Sequence, residues 1–387
     1  MSSNSVSPPR NTRWKEPGRP RIVKVTASPA TNVAASQGER IVGKSTIQDV
    51  AKLAGVSEAT VSRALRGLSN VAPATRQRVE DAAAALRFSL SKSASALASG
   101  RANRVMLIVS GRLNDWFNSS LLQGTHEILS PAGYDVVPTC ITNRDELSRL
   151  IAALPSTRNT DAIIVSSFTL DETFRNALAP LDVPLVGVNN PTVEGLDASV
   201  RIDDLGGMHQ AVQLLHSLGH RRLAYIGNLI PPDLSYSSNL RGDGFRDTAL
   251  ELGYTEDDLY FAPSKAENQV LPIQEIIRRS TAQMLASPES PTGVCVQTDD
   301  MAALMLNELK RQHIRVPEQM SVIGFDDQPT AELLGITTIH QDPVLLGREA
   351  ATRALDLIQE KRPEQPHLLV DTIPVLRTTT GVPQRID

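Results

Sequence analysis

A chain of 387 residues, 41% apolar and 21% charged, is long enough for two or three domains and has the composition of a protein with a packed core. No run of eighteen apolar residues occurs, the first forty residues hold no apolar secretion segment, and the two cysteines, Cys140 and Cys295, lie far apart; a membrane span, an exported protein and a disulfide framework are not expected. The net charge of −4 conceals an asymmetry, because residues 1–100 carry +9 and the remainder −13, the pattern of a nucleic-acid reader joined to an acidic body.

Residues 1–43 are rich in Ser, Pro, Thr, Asn and Arg without hydrophobic period and read as a disordered basic tail. Residues 44–88 then change character. Ile47, Val50, Ala51 and Ala54 fall on one face of a helix, with Thr46 as its N-cap, Asp49 three residues on, and Gly55 where the chain must turn. Ser57 caps a second short helix, 58–65. Two short helices joined by a tight glycine-containing turn form a helix-turn-helix, whose second helix enters the major groove of double-stranded DNA. Glu58, Ala59 and Arg63 at its start are the expected base readers, with Ser57, Thr60 and Ser62 near phosphates; Val61 and Leu65 face inward. A third helix, about 74–86, presents Val79, Ala82, Ala83 and Leu86 to the shared core.

Residues 89–101 form a Ser/Ala-rich linker, and 102–387 alternate apolar runs with amphipathic stretches. The runs are 105–109, 135–137, 162–165, 184–188, 223–226, 293–296 and 322–325; helix-length segments lie at 116–129, 145–154, 206–218, 241–252, 273–286, 299–312 and 344–360. Continuously apolar strands are buried on both faces, so parallel sheets covered by helices are expected, in two α/β subdomains.

The run Thr46-Ile47-x-Asp49-Val50-Ala51-x-x-Ala54-Gly55-Val56-Ser57-x-Ala59-Thr60-Val61-Ser62-Arg63-x-Leu65 resembles the headpiece of the lactose/galactose-repressor family of bacterial transcription regulators, and Val71, Thr75-Arg76, Arg78-Val79 and Leu86-x-Phe88 continue the likeness. In the body, Gly219-His220-Arg221-Arg222, Arg241-x-x-Gly244-Phe245, Asp299-x-Met301-Ala302 and Gly324-Phe325-Asp326-Asp327 extend it to about residue 380. The resemblance implies an α/β protein: an all-α helix-turn-helix headpiece, in which Thr46 also meets DNA, and a periplasmic-binding-protein-like body of two Rossmann-like subdomains with an effector cleft between them. It further implies a bacterial, cytoplasmic, nucleoid-associated homodimer on a near-palindromic operator, with a sugar or sugar acid as effector and no membrane partner, cofactor or metal. Leu97 stands where the family wedges a leucine into the minor groove, the alternative being simple packing of a linker helix. The chain departs from the family where Ala72 replaces a capping serine, where Ser95 replaces a linker arginine, with Lys92 a possible substitute, and where Thr298 replaces an asparagine.

By the same resemblance Arg241 and Asp299 face the cleft as ligand contacts, against the alternatives of a structural ion pair or helix cap. Phe117 is either a stacking face or helix-start core, and Asn189, followed by Asn190, either a polar wall or a turn. Asp203 and Asp326 read as hinge braces and His220 as a structural signature at a helix end. No G-x-G-x-x-G, phosphate loop or nucleophile elbow appears, so no enzyme is expected, and the attached helix-turn-helix speaks against a transport solute-binding protein.

Overall fold

The computed structural model describes residues 45–65, 70–88, 101–157, 160–227, 236–262 and 272–384, and forms two units, Met1–Ser89 and Leu90–Asp387. In the first, α1 (Ile47–Ala54), α2 (Glu58–Leu65) and α3 (Pro73–Ala85) pack around Val50, Val61, Ala64, Val79 and Ala82. Local chemistry sets each boundary. The Thr46 side chain accepts from the Asp49 N–H while the Asp49 carboxylate accepts from the Thr46 N–H at 2.8 Å, a reciprocal cap. Gly55 turns the chain with φ 68°, where a Cβ would be strained, and Ser57 Oγ accepts from the Thr60 N–H at 3.2 Å to start α2. Ala72 precedes α3 with no side-chain cap, and Pro73 occupies the first turn instead.

The second unit holds two parallel sheets. The first has the order β11-β5-β4-β3-β1-β2, from β1 (Arg104–Ser110), β2 (Asp135–Ile141), β3 (Ala162–Ser166), β4 (Leu185–Val188), β5 (Ala198–Ile202) and β11 (His367–Val370). The second has the order β7-β6-β8-β9, from β6 (Leu223–Ile226), β7 (Leu259–Phe261), β8 (Gly293–Val296) and β9 (Ser321–Ile323); β10 (Thr338–His340) and β12 (Ile373–Val375) pair antiparallel beside it. The chain crosses between the sheets three times: after β5, after β10 and after β11. Asp203, in the first crossing, caps the following helix by accepting from the Gly206 N–H at 2.9 Å, and its own N–H donates to Val370 at the third.

Helices cover both faces of each sheet, as the continuous apolar strands require. Across one face of the first sheet, α4 (Trp116–Leu129) and the last helix, Pro343–Ile358, cross at a glycine seat: a Cβ on Gly347 would stand 2.5 Å from the Leu121 carbonyl oxygen, and one on Gly124 would strike that of Val344. One hydrophobic cluster runs from Val105 and Leu107 through Met208 to Phe245 and Phe325, and so ties the two sheets into one body. Five of the strands (β5, β7, β10, β11 and β12) and the short helices Glu172–Leu178 and Pro329–Leu334 are absent from the sequence reading. The short edge strands among them owe their conformation to their pairing partners, β5 breaks its apolar run at Ser199 and Arg201, and helices of two turns or less show no hydrophobic period.

Candidate functional site

In the headpiece, Glu58, Ala59 and Arg63 are exposed on one side of α2, Ser62 is partly so, and Val61 and Ala64 are buried on the other. Thr46 and Ser57 are exposed at helix starts, and the hydroxyls of Ser57 and Thr60 lie 2.9 Å apart. Leu97 lies outside the described residues.

The body encloses a cleft of about 400 Å³ between its two sheets. Its walls are built from residues at or just past the carboxyl ends of strands: Ser110 at the end of β1, Ser167 after β3, Asn189 after β4, Thr298 after β8 and Asp326 after β9. Open parallel sheets place ligands there because side chains from successive strand ends converge. Phe117 packs partly against the core and also lines the cleft. Asn189 adopts φ 49°, accepts from the Ile202 N–H at 3.0 Å and donates to Gln341 Oε1 at 3.2 Å.

From Gln341 a buried polar chain runs across the hinge. Gln341 donates to Asp326 Oδ1 at 2.6 Å, and Arg241 Nη1 donates to the same oxygen at 3.0 Å. Arg241 Nε donates to Asp204 Oδ1 at 2.7 Å and Nη1 to the Gln297 carbonyl at 2.6 Å, while the guanidinium lies 3.6 Å over the Phe325 ring. Burial alone would lower the pKa of Arg241, but the charges of Asp326 and Asp204 outweigh it and hold the guanidinium above its ordinary value, fully protonated. Arg241 is therefore cleft wall and ion-pair brace at once.

Asp299, expected on the cleft wall, is instead fully buried and does not line the cleft. Its carboxylate accepts from the Gln328 N–H at 2.9 Å and from the Thr338 hydroxyl at 2.7 Å, and a Cβ on Gly324 would collide with it. Thr298 just before it, with extended backbone, caps the helix Asp299–Arg311 by accepting from the Met301 N–H, and it is Thr298 that lines the cleft. Asp299 rivets that helix to the turn after β9; Thr298 itself supplies the cleft hydroxyl.

The sequence reading omits Tyr236. This residue belongs to the second subdomain, yet its ring packs on the core of the first, its backbone pairs antiparallel with Phe168, and its hydroxyl lies 2.8 Å from Ser110 Oγ. The Ser237 N–H donates to the Ser167 carbonyl at 3.1 Å. These contacts close the cleft on the β3–β1 side, away from the β5–β11 edge where the chain crosses. Applying the strand-end rule to every strand would have found Ser110 and Ser167; nothing local marks Tyr236.

His220 stands apart from the cleft, buried and pushed to lower pKa by burial. The Gly381 carbonyl, 3.1 Å from Nε2, can only accept, so Nε2 carries the proton and Nδ1 accepts from the Thr292 hydroxyl at 2.9 Å. It clamps the C-terminal segment to the second sheet, a structural role. Among the described residues no group of three His, Cys, Asp or Glu is arranged to hold a metal ion.

Residues 46–90 match the bacterial regulatory proteins of the lacI family, and residues 212–380 match the periplasmic binding protein-like domain. The HTH-type transcriptional regulator GntR of Pseudomonas aeruginosa is 31% identical over 326 residues, covering 83% of this chain and 92% of that protein. The chain belongs to the lacI family. The HTH-type transcriptional repressor CytR of Escherichia coli is 29% identical over 342 residues, 87% of this chain and 96% of its own length. Among solved structures, the lac repressor dimer bound to operator and the anti-inducer ONPF superposes with a TM-score of 0.74 at 25% identity, covering 88% of this chain and all of that one. The transcriptional regulator CelR–cellobiose complex superposes at 0.62 and 28% identity, covering 87% and 99%. This family member is thus a DNA-binding transcription regulator of the helix-turn-helix type, and the mixed α/β architecture is that of its relatives.

Proposed function

We propose that this regulator is a repressor of a bacterial catabolic operon, acting in the cytoplasm as a homodimer on a near-palindromic operator and taking a small sugar-like effector in its inter-subdomain cleft. The observation that carries this reading is the union in one chain of an exposed α2 face bearing Glu58, Ala59 and Arg63 with a polar, aromatic-flanked cleft. Arg63 and Glu58 have the chemistry to pair with guanine and cytosine edges, while Thr46, Ser57, Thr60 and Ser62 approach phosphates and Leu97 enters the minor groove at the operator centre. In the cleft, Phe117 stacks on the effector, Asn189 and Arg241 meet its hydroxyls, and Asp299 acts behind the wall.

A homodimer finds support in the apolar side chains left uncovered in the second subdomain: Leu333 is 85% exposed and Leu376 65%. Effector and operator affinities are linked through cleft closure, and catalysis has no part in the scheme. Operator titrations of the full-length protein, with and without a sugar panel, test the reading. Log affinity should fall with log salt by about 0.9 per phosphate contacted, and one panel member should shift the operator affinity at fixed salt. A flat salt dependence would sink the DNA assignment, and an operator affinity indifferent to every cleft-bound sugar would sink the regulatory one.

A further inference from the structure

The cleft of about 400 Å³ carries two carboxylates on its wall, Asp115 and Asp326, the latter already accepting from Gln341, Arg241 and Gln328. Arg241 is the single cation on its wall among the described residues, and its charge is already met by Asp204 at 2.7 Å and Asp326 at 3.0 Å. Of its donors, only the Nη2 edge is left without a protein acceptor among the described residues. The Asn118 amide is likewise consumed, since it donates to the Ser110 and Arg112 carbonyls at 2.8 and 2.9 Å. Asp115, by contrast, accepts one bond, from the Arg112 N–H at 3.1 Å, and keeps its second oxygen for the cleft. On the facing subdomain, Asp300 feels both Asp326 and, across the cleft, Asp115; burial first, then those two charges, push its carboxyl up.

Resting on the reading of this cleft as the effector site, we infer that it takes a hydroxyl-rich ligand carrying no negative charge, rejecting the carboxylate form of such a ligand and accepting an ammonium-bearing one. A ligand hydroxyl or ammonium donates to Asp115 and Asp326, which a ligand carboxylate cannot do. A carboxylate brought to the Nη2 edge of Arg241 sits beside the buried Asp326 and shares the cleft wall with Asp115, and like charges repel there, most strongly at the desolvated Asp326.

Isothermal titration of the full-length protein with matched triplets of acid, neutral sugar and amino sugar tests this: gluconate, glucose and glucosamine, with corresponding galactose and cellobiose sets. Within the set that binds, the acid should be weaker than its neutral parent by about a hundredfold or more, and the amine no weaker than the neutral compound. The pair Asp115→Asn and Asp300→Asn, both at exposed positions, should narrow the acid–neutral gap by about tenfold, with a thermal melt to show that the variant is folded. An acid that binds as tightly as its neutral parent, or a gap that the double variant leaves unchanged, overturns the charge argument while leaving the effector site standing. If no member of any triplet binds, the effector reading of the cleft falls, and this inference with it.

Discussion

Arg241 shows how one side chain can serve stability and recognition together, since the same guanidinium that borders the cleft neutralises Asp204 and Asp326. Arg241→Ala should abolish the response of operator binding to ligand. It should also destabilise the body by about 3–5 kcal/mol, because two buried carboxylates lose their partner; a urea melt beside an operator titration separates the two effects. Asp299 carries a different signature. Burial, and then the charge of Asp326, pushes its carboxyl up to about 7. The folded protein then holds a proton that the unfolded chain has released, so this contribution to stability is present at low pH and is lost as pH rises from about 4 through 7. Urea midpoints of the body should be lower at pH 8 than at pH 5, and Asp299→Asn should shrink the difference; an unchanged difference would mean that another group titrates. In the headpiece, Arg63→Ala should relax preference at one operator position at a cost of about 1–3 kcal/mol, leaving the other positions unaltered in a binding-site selection.

At the scale of elements, α3 begins without a side-chain acceptor for its first N–H groups, because Ala72 stands at the cap. Ala72→Ser should raise headpiece stability by about 0.5–2 kcal/mol, read from its thermal transition; no gain would mean that Pro73 already sets the helix start. The contrast with α1 and α2 is informative. Their starts are written locally, in Thr46 with Asp49 and in Ser57 with Thr60, and sequence and structure agree there to within a residue. The central strands were equally legible, because burial on both faces leaves an unbroken apolar run. The strand Ala198–Ile202 hides its pattern behind Ser199 and Arg201, and is held by β4 on one side and β11 on the other.

For the whole molecule, the exposed leucines of Pro329–Leu334 and the residues after β12 bear on assembly. Leu333→Asp combined with Leu376→Asp should convert the proposed dimer to monomer in sedimentation equilibrium and weaken operator binding, since one recognition helix then acts alone. A double variant that stays dimeric would place the interface elsewhere. By itself the sequence determined the helix-turn-helix, the alternation of buried strands with helices and the family, because caps, glycine turns and hydrophobic period act over a few residues. It also singled out Asn189 and Asp326, which stand just past the ends of β4 and β9. Only the tertiary structure decided that Asp299 turns inward, that Thr298 takes its place on the wall, and that Tyr236 reaches Ser110 across 126 residues of chain. The physical reason is range: a local pattern specifies which face of an element is buried, while what lies opposite that face depends on loops and crossings that bring distant residues within hydrogen-bond reach.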